Sequence, residues 1–135
     1  MIGIVIVTHC NLGQELIKAA EFIVGNLKQV KAVSLNPQDE VNALRGKIVR
    51  AIEEVDSGEG VILLTDMFGG TPSNISLSFL SEGNVEVVTG VNLPMLIGLA
   101  GRREGKSLHQ AAGEIKDYGI RSIALAGEIL KKEVK

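Results

Sequence analysis

Cysteine occurs once in this chain, as Cys10, so no internal disulfide framework can form and a reducing compartment fits. Tryptophan is absent and only four residues are aromatic, which leaves Ile, Val, Leu and Ala to build the core. No uninterrupted apolar stretch reaches membrane-spanning length. The first apolar run has no basic leader and is too short for a signal h-region, so the expected location is the cytoplasm. A formal charge of −2 gives no basic field for nucleic acid. Two histidines and one cysteine make no metal-ligand spacing, so neither a metal nor a cofactor is expected.

What is present suffices for a globular protein. The chain has 135 residues and is 45% hydrophobic, which excludes disorder and suits one domain over residues 1–135. Residues 2–7 form a β-rich apolar run, read as a buried strand. Asn11 can cap the following helix, with Gln14 as its reciprocal partner three residues on. Residues 30–35 read as a second strand, and Asn36-Pro37 as the opening of a second helix. Residues 60–65 read as strand three, 72–81 as helix three and 85–89 as strand four. A short helix over 94–100 follows, and Ser107 with Gln110 forms a capping box for another. Gly119 can stop that helix, and the apolar run 120–125 is read as a last strand.

Strands alternating with helices predict an α/β fold, a doubly wound parallel sheet in the order 2-1-3-4. That order sets strands one and three side by side at the topological switch point, where ligands bind beyond the strand ends. The residues just past those ends are Thr8-His9-Cys10 and Asp66-Met67-Phe68. A cleft holding His9 and Asp66 is therefore expected from topology alone.

Its chemistry follows from residue types. An aspartate that accepts from one ring nitrogen fixes the histidine tautomer and leaves the other nitrogen as base or nucleophile. After Asp66, the stretch Gly69-Gly70-Thr71-Pro72-Ser73 reads as a glycine turn opening a helix, with Thr71 as N-cap and Pro72 at the first helical position. Gly69, Gly70, Thr71 and Ser73 offer N–H groups and hydroxyls to an anion but no cation. This suits a phosphoryl group held by something else, so phosphoryl transfer is the expected reaction class. Met67 and Phe68 can stand at the rim and meet a partner surface. The run 100–107 is a near miss to a nucleotide P-loop, with alanine first; it follows a helical segment, and Ser107 already has a capping role. His109 falls in a first helical turn and is expected to be exposed and inert.

Three separated segments in register carry a family resemblance: Ile4-Val5-Ile6-Val7-Thr8-His9, residues 64–74, and Gly90-Val91-Asn92-Leu93-Pro94-Met95-Leu96. Together they resemble the mannose-family IIA component of the bacterial phosphoenolpyruvate-dependent sugar phosphotransferase system (PTS). The resemblance implies that His9 accepts a phosphoryl group from the phosphocarrier protein HPr and passes it to a IIB component on a separate chain. Asp66 would orient the histidine, and Thr71 and Ser73 would lie around the phosphate. It also implies a cytoplasmic homodimer exchanging a C-terminal strand, here about residues 120–125. Cys10 stands where the family commonly has glycine. Alternatives are a regulatory phosphohistidine module and the phosphocarrier subunit of dihydroxyacetone kinase. The latter shares the N-terminal histidine but lacks the Gly-Gly-Thr-Pro stretch.

Overall fold

Four parallel strands alternate with helices in a computed structural model that describes residues 1–67, 69–99 and 101–134. The elements are β1 (Gly3–His9), α1 (Leu12–Val24), β2 (Val30–Leu35), α2 (Val41–Val55), β3 (Val61–Thr65), α3 (Thr71–Leu77), β4 (Val85–Thr89), α4 (Leu93–Leu99), α5 (Leu108–Arg121) and α6 (Ala126–Val134). A 3-10 turn over Leu80–Glu82 links α3 to β4. The strand order is 2-1-3-4 with every pairing parallel, as the alternation of elements predicts.

β1 and β3 occupy the centre and are buried on both faces, which explains their unbroken runs of Ile, Val and Leu. Ile4, Ile6, Ile62 and Leu64 face one way, against Ala20 of α1, Leu96 and Leu99 of α4, and Ile115 of α5. Val5, Val7, Val61 and Leu63 face the other way, against Leu44 and Ile48 of α2 and Ile75 and Phe79 of the α3 segment. The alternation of side chains along each strand thus divides one sheet into two apolar layers. The register pairs Val7 of β1 with Thr65 of β3, which brings the residues after both strands to the same end of the sheet.

Several local readings are corrected. Residues 120–125 form no strand in this single chain: α5 continues through Ile120 to Arg121, and α6 begins at Ala126. Gly119 does not stop α5 but packs it against α4. A Cβ there would overlap Met95, lying 2.8 Å from its Cγ. α5 ends instead at Ser122, whose hydroxyl donates to Tyr118 O at 2.7 Å. Pro37 does not open α2, which starts at Val41. Asn36 N donates to Asp39 Oδ2 at 3.1 Å, so residues 36–39 form a side-chain-closed turn. Asn11 makes no side-chain cap; the hydroxyl of Thr8 takes that place, accepting from Gly13 N at 2.9 Å. The Ser107 cap is as expected and accepts from Gln110 N at 3.2 Å.

Candidate functional site

The site is assembled at the carboxyl ends of β1 and β3. His9 closes β1, and Asp66 follows β3 directly. Asp66 Oδ2 accepts from the His9 backbone N–H at 2.9 Å and lies 2.8 Å from His9 Nδ1. The carboxylate is nearly enclosed, while the imidazole is half exposed. Burial alone would raise the Asp66 carboxyl, but the two hydrogen bonds from His9 and its charge outweigh this and hold the group below its ordinary value. An ionised carboxylate can only accept, so Nδ1 carries the proton of a neutral ring and the lone pair lies on Nε2.

Gly70 stands beside the ring. A Cβ placed there would lie 3.7 Å from His9 Cε1 and 3.8 Å from Nε2, and its φ of 84° is one that glycine adopts without strain. Gly70 is the N-cap of α3, Thr71 the first helical residue and Pro72 within the first turn, one step earlier than the sequence reading. Thr71 is exposed and lines the cavity next to His9. Gly69 belongs to the same turn, with φ 82°. Ser73, in the first turn of α3, is fully buried, and its hydroxyl meets no described partner. Met67 is exposed, whereas Phe68 lies outside the described residues.

A cavity of about 300 Å³ adjoins the ring, lined on its apolar side by Leu35, Pro37, Val41, Leu44 and Pro72. The sequence reading missed this wall, because Pro37 read as a helix start and not as part of a turn. The spacing of Asn36 and Asp39, residues that often close turns, was the available signal. Cys10 also lines the cavity, with φ 51° and its N–H donating to Leu35 O at 2.8 Å.

The family model for the PTS system fructose IIA component (EIIA-man) matches residues 3–116. The chain belongs to the mannose-type IIA family of the sugar phosphotransferase system. It is 29% identical to the PTS system fructose-specific EIIA component of Bacillus subtilis (strain 168), over 98% of this chain and 91% of that protein. It is 30% identical to the PTS system sorbose-specific EIIA component of Lacticaseibacillus casei, over 83% of this chain and 81% of that protein. Among solved structures, the PTS IIA protein associated with the fucose utilization operon of Streptococcus pneumoniae superposes with a TM-score of 0.83. That pair is 30% identical and the match covers 95% of each chain. PTS IIA components are phosphotransferases in general kind.

Other features of this IIA chain lie apart from the site. In the 100–107 segment, Arg103 donates to Ile2 O at 2.9 Å and to Lys28 O at 2.8 Å. Lys106 pairs with Glu114, and Ala100 lies outside the described residues. The segment follows α4, where a P-loop would follow a strand. His109 is exposed, with Nδ1 2.8 Å from Glu86 Oε2. Among the described residues, no three His, Cys, Asp or Glu gather as a metal site, and no helix is long and apolar enough to cross a membrane.

Proposed function

We propose that this IIA component is a phosphohistidine relay, with His9 Nε2 as the atom that carries the phosphoryl group. The observation that carries the reading is the double hydrogen bond from His9 to Asp66 Oδ2, which leaves Nε2 free beside Gly70 and an open cavity. In the forward step, Nε2 attacks phosphorus on phospho-HPr and a P–N bond forms as the donor's P–N bond breaks. The broken bond's electron pair returns to the donor ring. The His9 ring keeps its Nδ1 proton and becomes cationic, and Asp66 stabilises that charge. A cationic ring is also a better leaving group, so the same contact favours onward transfer to a IIB component. Backbone N–H groups at Gly69, Gly70 and Thr71 supply the polar surroundings for the phosphoryl oxygens. Ser73, buried in the first turn of α3 with a hydroxyl that meets no described partner, completes that lining.

The relay works in the cytoplasm as a homodimer. Ile120, Ile123, Leu125, Ile129 and Leu130 are all exposed at the C-terminal end, an apolar surface of the kind that a partner subunit covers. Exchange of residues 120–125 between two copies is compatible with that exposure. The relatives' names cite fructose, sorbose and fucose, and selection of the sugar belongs to other components of the system. The decisive experiment combines the protein with phosphoenolpyruvate, enzyme I and HPr. One acid-labile phosphoryl group per chain is expected, with none on His9→Ala; an equally labelled His9→Ala protein rejects the reading.

A further inference from the structure

Among the described residues, no lysine or arginine lines the cavity beside His9. Three cations line a second groove instead, which shares Asn36 with the first and follows the free edge of β2. β2 is the outermost strand of the sheet, so one side of its backbone has no partner strand among the described residues. Which residues face that side follows from two hydrogen bonds. Ile4 N donates to Gln29 O and Cys10 N donates to Leu35 O, so odd-numbered residues turn their peptide groups toward β1. Alternation then directs the N–H and C=O of Val30, Ala32 and Ser34 outward.

The two faces of this edge differ in chemistry. Val33 and Leu35 pack in the α2-side layer, which puts Lys31 on the same face, next to Lys47 and Arg50 of α2. Lys31 Nζ meets Glu54 at 2.9 Å and Lys47 Nζ meets Asp39 at 3.5 Å, while Arg50 has no carboxylate partner among the described residues. On the α1 face the groove is neutral: Ala32 is small, and Ser34 Oγ donates to Gln14 Oε1 at 2.7 Å. The groove, about 370 Å³ in volume, thus combines a free strand edge with a cationic face in a chain of net charge −2.

We propose that the β2 edge is a docking site for an extended acidic segment of a partner protein, which adds to the sheet as a further strand. Outward peptide groups of Ala32 and Ser34 supply the ladder hydrogen bonds, as in strand addition generally. Carboxylates at every second position of the segment meet Lys31, Lys47 and Arg50, and the residues between them meet the neutral α1 face. The seat communicates with the His9 cavity through Asp39. That carboxylate pairs with Lys47, accepts from Asn36 N and lines the cavity wall. A segment that takes over Lys47 therefore releases one of the two contacts that hold the Asp39 carboxylate.

The opposing account is that lysines on an edge strand serve to prevent strand pairing. A fluorescein-labelled octapeptide of alternating Glu and Val separates the two, followed by anisotropy and by amide hydrogen exchange. Docking requires binding that weakens with salt, slower exchange at Ala32 and Ser34, and at least tenfold weaker binding to Lys47→Glu/Arg50→Glu. The same peptide N-methylated at alternate nitrogens must fail to bind. His9 phosphorylation of the charge-reversed variant shows that it is folded. No binding at about 1 mM peptide, equal binding of the N-methylated or a Lys-Val peptide, or indifference to the charge reversal overturns the proposal.

Discussion

One carboxylate oxygen, Asp66 Oδ2, holds both the backbone N–H and the Nδ1 of His9, at 2.9 and 2.8 Å across 57 residues of sequence. The backbone contact fixes where β1 ends, and the ring contact fixes the tautomer. A single side chain therefore couples the end of the strand to the choice of which ring nitrogen stays free.

Replacing Asp66 tests that coupling. Asp66→Ala frees the ring to rotate and to change tautomer, so the rate of phosphoryl transfer from phospho-HPr is expected to fall on the order of 10²-fold. The far-UV spectrum should stay that of the wild type. Stopped transfer assays check this, and an unchanged rate removes Asp66 from the mechanism.

The same contact predicts a dependence on pH. The folded Asp66 carboxyl lies below its ordinary value, so the unfolded chain binds its proton first on acidification. The contribution to stability is then fully present above the unfolded carboxylate pKa of about 3.9 and is lost as pH falls through the lower folded value. Denaturant titrations of wild type and Asp66→Asn should show a gap that is constant near neutrality and narrows below about pH 4. A gap that widens on acidification has the wrong sign for this account.

Cys10 carries a left-handed backbone, with φ 51°. A side chain in that region costs about 1 kcal/mol, and glycine avoids the cost at the expense of some unfolded-state entropy. Cys10→Gly is expected to raise stability by up to about 1 kcal/mol, read as a shift in the urea midpoint. Gly70→Ala is the converse: at φ 84° a Cβ is strained although it clears the His9 ring, and a loss of about 1–2 kcal/mol is expected. A destabilised Cys10→Gly, or a stabilised Gly70→Ala, would contradict the backbone argument.

The exposed C-terminal apolar residues predict self-association. Ile123→Asp/Leu125→Asp puts charge where a partner subunit would bury apolar surface, and light scattering should report a monomer where the wild type is a dimer. A monomeric wild type removes the dimer from the proposed function, and an unaffected dimer removes this surface from its interface.

Much of this architecture is visible in the residues. The strands around Val5, Val33, Leu63 and Val87 are short β-branched runs between helix signals, and their alternation dictates the 2-1-3-4 order that pairs His9 with Asp66. Where reading failed, a tertiary contact had replaced a local rule. Gly119 looks like a helix stop until Met95 is seen packed against it, and Asn11 looks like a cap until Thr8 is found in that place. Ile23 and Val24 fit the apolar period of α1 yet are exposed, because periodicity marks a stripe without locating its edge. The burial of Ser73 is likewise set by how α3 packs, which linear spacing does not reveal.

The account rests on His9 Nε2 as the phosphorylated atom. The direct test is an ¹⁵N-histidine NMR spectrum of the protein after phosphorylation by phosphoenolpyruvate, enzyme I and HPr. A phosphoryl-bearing Nε2 on His9, with its Nδ1 still protonated and hydrogen-bonded, is the expected result. Phosphorylation at Nδ1, or on His109 in place of His9, would contradict it.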